Sequence, residues 1–199
     1  MKRLLVATRN RGKLKEIQVA LDGLVEELLC AADLPDLPET VEDGATFLDN
    51  AFKKAREACV YSGLPVLADD SGLVVEGLHG APGVFSARFA GPGADDAANN
   101  RKLLDELALF PAASRKAAFV CVMVYVHPDG TEQAFEGRVE GRILDGLRGD
   151  GGFGYDPLFQ VDGFGRTMAE LTLEEKNHIS HRGQALHAFM LYLQGQRQG

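Results

Sequence analysis

Apolar positions recur in this chain at two different periods, and the alternation between them lays out the elements. Leu4 to Ala7 is a short continuous apolar run that predicts a buried strand, and from Gly12 to Leu21 the residues Leu14, Ile17 and Leu21 return at helical spacing. Leu24 to Ala31 predicts a second strand. Pro35, Pro38 and the acidic residues through Asp43 predict an irregular loop. Thr46 to Tyr61 predicts an amphipathic helix. Its apolar side carries Phe47, Ala51, Ala55, Ala58 and Cys59, its polar side carries Lys53, Lys54, Arg56 and Glu57, and Gly63 ends it. Pro65 to Ala68 predicts a third strand, which stops at the adjacent carboxylates of Asp69 and Asp70.

Beyond this point the stretch Gly77 to Gly93 is rich in Gly, Pro and Ala and predicts a short helix over Val84 to Phe89. A longer helix follows over Asp95 to Leu109, stopped by Pro111. Ala117 to Val126 and Thr131 to Leu144 read as two long strands around the hairpin signal His127-Pro128-Asp129-Gly130. A glycine cluster at Gly149 to Pro157 precedes a short strand over Leu158 to Val161. Thr172 and Glu175 fit a capping box, Ser180 to Leu193 predicts a terminal helix, and Gln194 to Gly199 a frayed tail. Strands alternating with helices predict a layered α/β fold, with the hairpin adding an antiparallel arm to the sheet.

A length of 199 residues allows one well-buried core, divided at most into two lobes, so residues 1–199 are read as one domain. Hydrophobic residues at 45% and charged residues at 25% match a folded globular chain. The net charge of −8 argues against a surface that holds long nucleic acid, which draws on a broad excess of Lys and Arg. Cys30, Cys59 and Cys121 are odd in number and far apart, without zinc-site spacing, and read as reduced core residues of a cytoplasmic protein. The sequence shows no signal-peptide pattern and no run of membrane-spanning length.

Four groups of residues could carry chemistry. Thr8-Arg9-Asn10-Arg11-Gly12-Lys13 lies between a strand and a helix start, where backbone N–H groups and the Lys13 charge favour an anion; its spacing is not that of a Walker loop. Asp69 and Asp70, with Glu39, Glu42 and Asp43 of the acidic loop, suit a magnesium ion, which takes a few carboxylates together with water and substrate phosphate. One aspartate then remains to deprotonate or orient an attacking water. The glycine cluster around Phe153 and Tyr155 lets backbone approach a flat ligand while an aromatic face stacks on it. Lys176, Asn177, His178, Ser180, His181 and Arg182 supply donors for carbonyl oxygens or phosphate. Arg88, flanked by apolar residues, predicts a partly buried cation in need of a partner.

In this order the segments Ala7 to Lys13, Ala68 to Gly72 with Gly80 to Arg88, Gly152 to Pro157 and Glu175 to Arg182 resemble the inosine triphosphate pyrophosphatase family, also called Ham1-like, over nearly the whole chain. The resemblance implies hydrolysis of ITP, dITP and XTP to the monophosphate and pyrophosphate with Mg2+, so that miscoding bases leave the nucleotide pool. It also implies an elongated two-lobed mixed sheet flanked by helices, an active-site cleft between the lobes, and a homodimer. Carried across by motif, Thr8, Asn10 and Lys13, with Arg9, Arg11 and Gly12 around them, grip the phosphates. Asp70 accepts the proton of water and binds metal, and Ser71 bonds the substrate. Phe153, Gly154, Tyr155 and Asp156 form a stacking wall with sugar-side contacts, and Lys176, His181 and Arg182 approach the base, at the opposite end from Lys13. The acidic pair that family members carry before Gly-x-Thr-Phe is displaced by one residue here, so Glu42 is the expected second metal ligand and Glu39 the alternative.

Inosine and xanthosine carry a carbonyl at the purine 6-position where adenosine carries an amine. Donors facing it pair with the first two and are left unpaired against the third, a difference of several kcal/mol. Two other readings compete: a Maf-like pyrophosphatase of pyrimidine or modified nucleotides, and a nucleotide-binding sensor without catalysis.

Overall fold

The computed structural model describes residues 1–110 and 114–196. Six strands form one mixed sheet in the order β2-β1-β3-β4-β5-β6: β1 Arg3–Val6, β2 Glu27–Cys30, β3 Val66–Val75, β4 Lys116–Val126, β5 Glu132–Ile143 and β6 Phe159–Val161. β1 pairs in parallel with both β2 and β3, as strand-helix-strand crossovers require, and β5 pairs antiparallel with β6. The β4–β5 connection is the expected turn, closed by bonds from Gly130 N to His127 O (3.0 Å) and from His127 N to Thr131 O (2.9 Å).

Five α-helices accompany the sheet among the described residues: α1 Arg11–Leu21, α2 Phe47–Ser62, α3 Asp96–Leu109, α4 Leu173–Ile179 and α5 His181–Gln196. Their starts follow the capping chemistry of the sequence. Asn10 accepts from Lys13 N, Asp95 accepts from Ala98 N, and Thr46 with Asp49 and Thr172 with Glu175 form capping boxes. Gly63 closes α2 in the left-handed region at φ 65°. The expected short helix near Val84 is a 3-10 turn over Gly83–Arg88. The terminal helix begins at His181 because Ser180 is extended and separates it from α4, and helix continues to Gln196 where a frayed tail was expected. Pro111 and the last three residues of that tail lie outside the described residues.

The third strand departs most from expectation. Instead of ending at Ala68, β3 continues for ten residues through Asp69, Asp70, Ser71 and Gly72. Successive side chains of a strand point to opposite faces, so the adjacent carboxylates are directed apart and each meets its own cations.

The chain divides into two compact units, one of Met1–Asp70, Cys121–Gly137 and Arg182–Gly199, the other of Ser71–Val120 and Arg138–His181. In the first unit alternate strand residues feed two cores. Leu4, Val6, Leu67, Cys121, Met123 and Tyr125 pack with Ile17 and Leu21 of α1 and Leu186 and Phe189 of α5. Leu5, Val66, Ala68, Val122 and Val124 pack with Ala51, Ala55 and Cys59 of α2. The second unit has its own core, from Leu73 and Val75 through Leu103 and Leu107 of α3 to Tyr155, Phe159 and Leu171. All three cysteines are free thiols. No helix among the described residues is long and apolar enough to cross a membrane.

Candidate active site

Strand parity sets the first cluster. Leu67 belongs to the core shared with α1 and α5, so Asp69, two residues on, faces those helices; Ala68 belongs to the core shared with α2, so Asp70 faces α2. Asp69 is 3% exposed and meets Lys13 Nζ at 2.9 Å and Arg182 Nη2 at 3.5 Å. Arg182, itself 3% exposed, also places Nη1 2.6 Å from Glu16 Oε2. Burial alone would raise the Asp69 pKa, but Lys13 first, then Arg182 and Lys54, overcome it and hold the carboxyl well below the ordinary carboxylate range.

Asp70 has the opposite character. It is equally buried, and that desolvation pushes its pKa up; Lys54 and the bond from Asn50 offset only part of the rise. Asn50 Nδ2 donates to Asp70 Oδ2 at 2.9 Å, while Asn50 Oδ1 accepts from Gly44 N at 2.7 Å, which joins the acidic loop to the strand. Lys54 Nζ lies 2.8 Å from Glu42 Oε1 and 3.8 Å from Asp70 Oδ1. Despite its own desolvation the Lys54 ammonium is held charged by Asp69, Asp70 and Glu42.

Around these groups the phosphate-loop candidates separate. Asn10 caps α1 through Lys13 N (3.0 Å), and Thr8 Oγ1 accepts from Asn10 N (3.2 Å). Gly12 is in the first turn, Arg11 is exposed at the first position of α1, and the Arg9 guanidinium donates to Leu37 O at 2.8 Å. Glu42 and Asp70 flank the same ammonium, whereas Glu39 is exposed and Asp43 pairs with Lys53 at 2.6 Å. Among the described residues no group of three His, Cys, Asp or Glu could hold a metal. The Glu42–Asp70 pair nonetheless suits a magnesium ion: it offers two hard oxygen donors gathered about one cation, leaving the remaining positions to water and phosphate.

The second cluster is built on the glycine-rich loop. Asp156 is 5% exposed; its Oδ2 accepts from Phe153 N at 3.0 Å and pairs with Lys176 Nζ at 2.8 Å. The same ammonium lies 5.3 Å from the centre of the half-buried Phe153 ring. A Cβ at Gly152, where φ is +75°, would overlap the Asp156 carboxylate, so only glycine fits there. From α3, Asp96 Oδ2 accepts from Gly154 N at 2.6 Å and Asn100 Nδ2 donates to Gly154 O at 2.8 Å. His181 is buried and its ring stacks on Phe119, with centroids 4.9 Å apart. Ser71 is half-buried on β3, directly after Asp70.

One expectation changes here. Tyr155 is not an exposed stacking surface: its ring belongs to the second unit's core and its hydroxyl donates to Ser86 O at 2.9 Å, whereas Phe153 is half-buried. Lys13 and Arg182 both meet Asp69. Arg88 is half-buried with its guanidinium over the Phe85 ring at 5.2 Å.

Sequence reasoning overlooked Glu16, Asn50, Lys54, Asp96 and Asn100. The amphipathic pattern places Lys54 on the polar side of α2, yet its side chain is only 13% exposed. The usable signal was spacing: Lys54 is four residues after Asn50, a polar side chain interrupting an apolar stripe, and Glu16 is three after Lys13, so each pair shares a helix face.

The sequence profile of the Ham1 family matches residues 4–192. The chain is 58% identical over 186 residues to a dITP/XTP pyrophosphatase of Geobacter sulfurreducens, covering 94% of each chain. It is 50% identical over 184 residues to a dITP/XTP pyrophosphatase of Desulforamulus reducens, covering 92% of each. Among solved structures it resembles a HAM1 protein from Coxiella burnetii, with a TM-score of 0.89 and 41% identity over 98% of this chain and 100% of that one. It also resembles the nucleoside-triphosphatase / dITP/XTP pyrophosphatase from Mycobacterium abscessus, with a TM-score of 0.76 and 49% identity over 94% of this chain and 98% of that one.

Proposed function

The chain belongs to the Ham1 family, and from that premise we propose that it hydrolyses the oxo-purine nucleoside triphosphates ITP, dITP and XTP to monophosphate and pyrophosphate. In this reading it works in the cytoplasm as a homodimer, residues 1–199 acting as one functional domain, and it removes these nucleotides before they enter DNA or RNA. The observation that carries the reading is the contrast between the neighbours Asp69 and Asp70. One is a permanent anion that organises cations; the other is a buried carboxylate whose desolvation raises its proton affinity.

Asp70 takes the proton of the attacking water, and its raised pKa makes it a better base than an exposed aspartate. Asn50 donates to Oδ2 and so orients the carboxylate. Lys13 and the α1 N-terminus, with Thr8 and Asn10, bind the phosphates, Lys13 turning from Asp69 toward the incoming anion. Mg2+, held by Asp70 and Glu42, would neutralise charge on the triphosphate. Phe153 stacks on the base above the Asp156–Lys176 pair, and Ser71 bonds the substrate. Lys176 and His181 donate to the 6-oxo group. An amine in place of the carbonyl leaves those donors unpaired, which accounts for rejection of ATP.

Initial rates on a nucleotide panel test this. ITP, dITP and XTP are expected to exceed ATP, CTP, UTP and dTTP by about a thousandfold in kcat/KM. Faster turnover of a pyrimidine nucleotide would favour the Maf-like reading, and binding without turnover the sensor reading.

A further inference from the structure

Helix α3 takes no part in the reading above, yet two of its side chains grip a single residue of the glycine-rich loop. Asp96 and Asn100 stand four apart on α3 and so share one face. One accepts the N–H of Gly154 and the other donates to its carbonyl, at 2.6 Å and 2.8 Å, and Gly154 sits between them in the left-handed region at φ +61°. The acceptor fixes the Asn100 amide orientation, because only its nitrogen can donate to a carbonyl. Its Oδ1 is then buried without a hydrogen-bond partner among the described residues. A position serving the helix alone would have no reason to keep such an orphan.

Phe153 is thereby held from two sides. Beneath it the Asp156–Lys176 pair fixes its own N–H and underlies its ring; behind it α3 fixes the next peptide. We infer that Asp96 and Asn100 are positioning residues for base recognition, which pre-order the Gly152 to Asp156 loop so that the Phe153 ring meets the purine without a further ordering step. The inference rests on the reading of Phe153 as the base-stacking surface. An ordered loop loses less conformational freedom on binding, so the clamp acts on affinity and leaves the chemical step alone.

The test compares Asp96→Ala, Asn100→Ala and Asp96→Asn, which keeps an acceptor oxygen, with Phe153→Ala as reference. For each, KM and kcat are measured with dITP, and amide hydrogen exchange of residues 152 to 156 is followed in the ligand-free protein. Both alanine variants are expected to speed loop exchange and raise KM by about three- to tenfold, with kcat within about twofold of the native enzyme. Asn100→Ala has the larger effect because its side chain is buried whereas Asp96 is exposed, and Asp96→Asn keeps KM near the native value. If Asn100→Ala folds poorly, Asp96→Ala, at an exposed position, decides alone. Native loop exchange or native KM in Asp96→Ala, while Phe153→Ala raises KM, overturns the inference and leaves the stacking reading standing. A native KM in Phe153→Ala overturns the stacking reading and the recognition role with it, even where the alanine variants speed loop exchange.

Discussion

Asp69 and Asp70 differ by one position in the chain and by the whole character of their surroundings, which predicts opposite responses to the same isosteric change. Asp69 has a folded pKa below its ordinary value of 3.8, so the stability it contributes is complete above that pH and is lost as pH falls through the lowered folded value. Asp69→Asn is expected to lose about 3 kcal/mol near neutrality, because Arg182 and Lys13 keep their charge without their shared anion, and the deficit should shrink below about pH 4. Asp70 has a folded pKa above its ordinary value, so its charge opposes folding at neutral pH and is relieved on acidification. Asp70→Asn should therefore stay within about 1 kcal/mol of the native stability, or exceed it, while kcat falls by about a thousandfold or more. Urea unfolding from pH 3 to 8 without divalent ions, beside kcat with Mg2+, checks both. A stability loss in Asp70→Asn as large as that in Asp69→Asn would show that the two carboxylates have the same structural role.

At the scale of elements, α2 joins Asp70 to the acidic loop, through Asn50 and Lys54 on one face. A Cβ on Gly44 would stand 2.6 Å from Asn50 Oδ1 and 2.8 Å from Asp49 Cβ, so the loop must shift if this residue grows. Gly44→Ala is expected to destabilise the protein by about 1–3 kcal/mol and to raise the Mg2+ concentration needed for half-maximal rate; thermal unfolding and a metal titration read the two effects. An unchanged metal requirement would remove Glu42 from the metal site. The elements themselves were legible because periodicity and capping agree at Asn10, Thr46, Gly63 and Thr172. The sequence predicts a shorter β3 because Asp69 and Asp70 have poor strand propensity. What sustains the strand is cations from α1, α2 and α5, long-range partners that no local pattern displays. The sequence leaves Tyr155 ambiguous for a related reason: an aromatic beside glycines is equally suited to a ligand or a core, and the Ser86 carbonyl that decides the matter lies 69 residues away.

For the molecule as a whole, sequence motifs and structural likeness point the same way. The motifs that carried the family resemblance fall in two clusters with separate chemistry, an anion- and metal-suited set on β3, α1 and α2 and an aromatic set clamped by α3 and α4. Their order along the chain was legible; the partners that tune them were not. The central claim is that water attacks the α-phosphorus of an oxo-purine triphosphate, and isotopic labelling tests it most directly. When dITP and Mg2+ are incubated with the enzyme in 18O-water and the products are resolved by phosphorus NMR, the label should appear in the nucleoside monophosphate, with one unlabelled pyrophosphate released per turnover. Label in pyrophosphate, or release of labelled orthophosphate, would contradict the account.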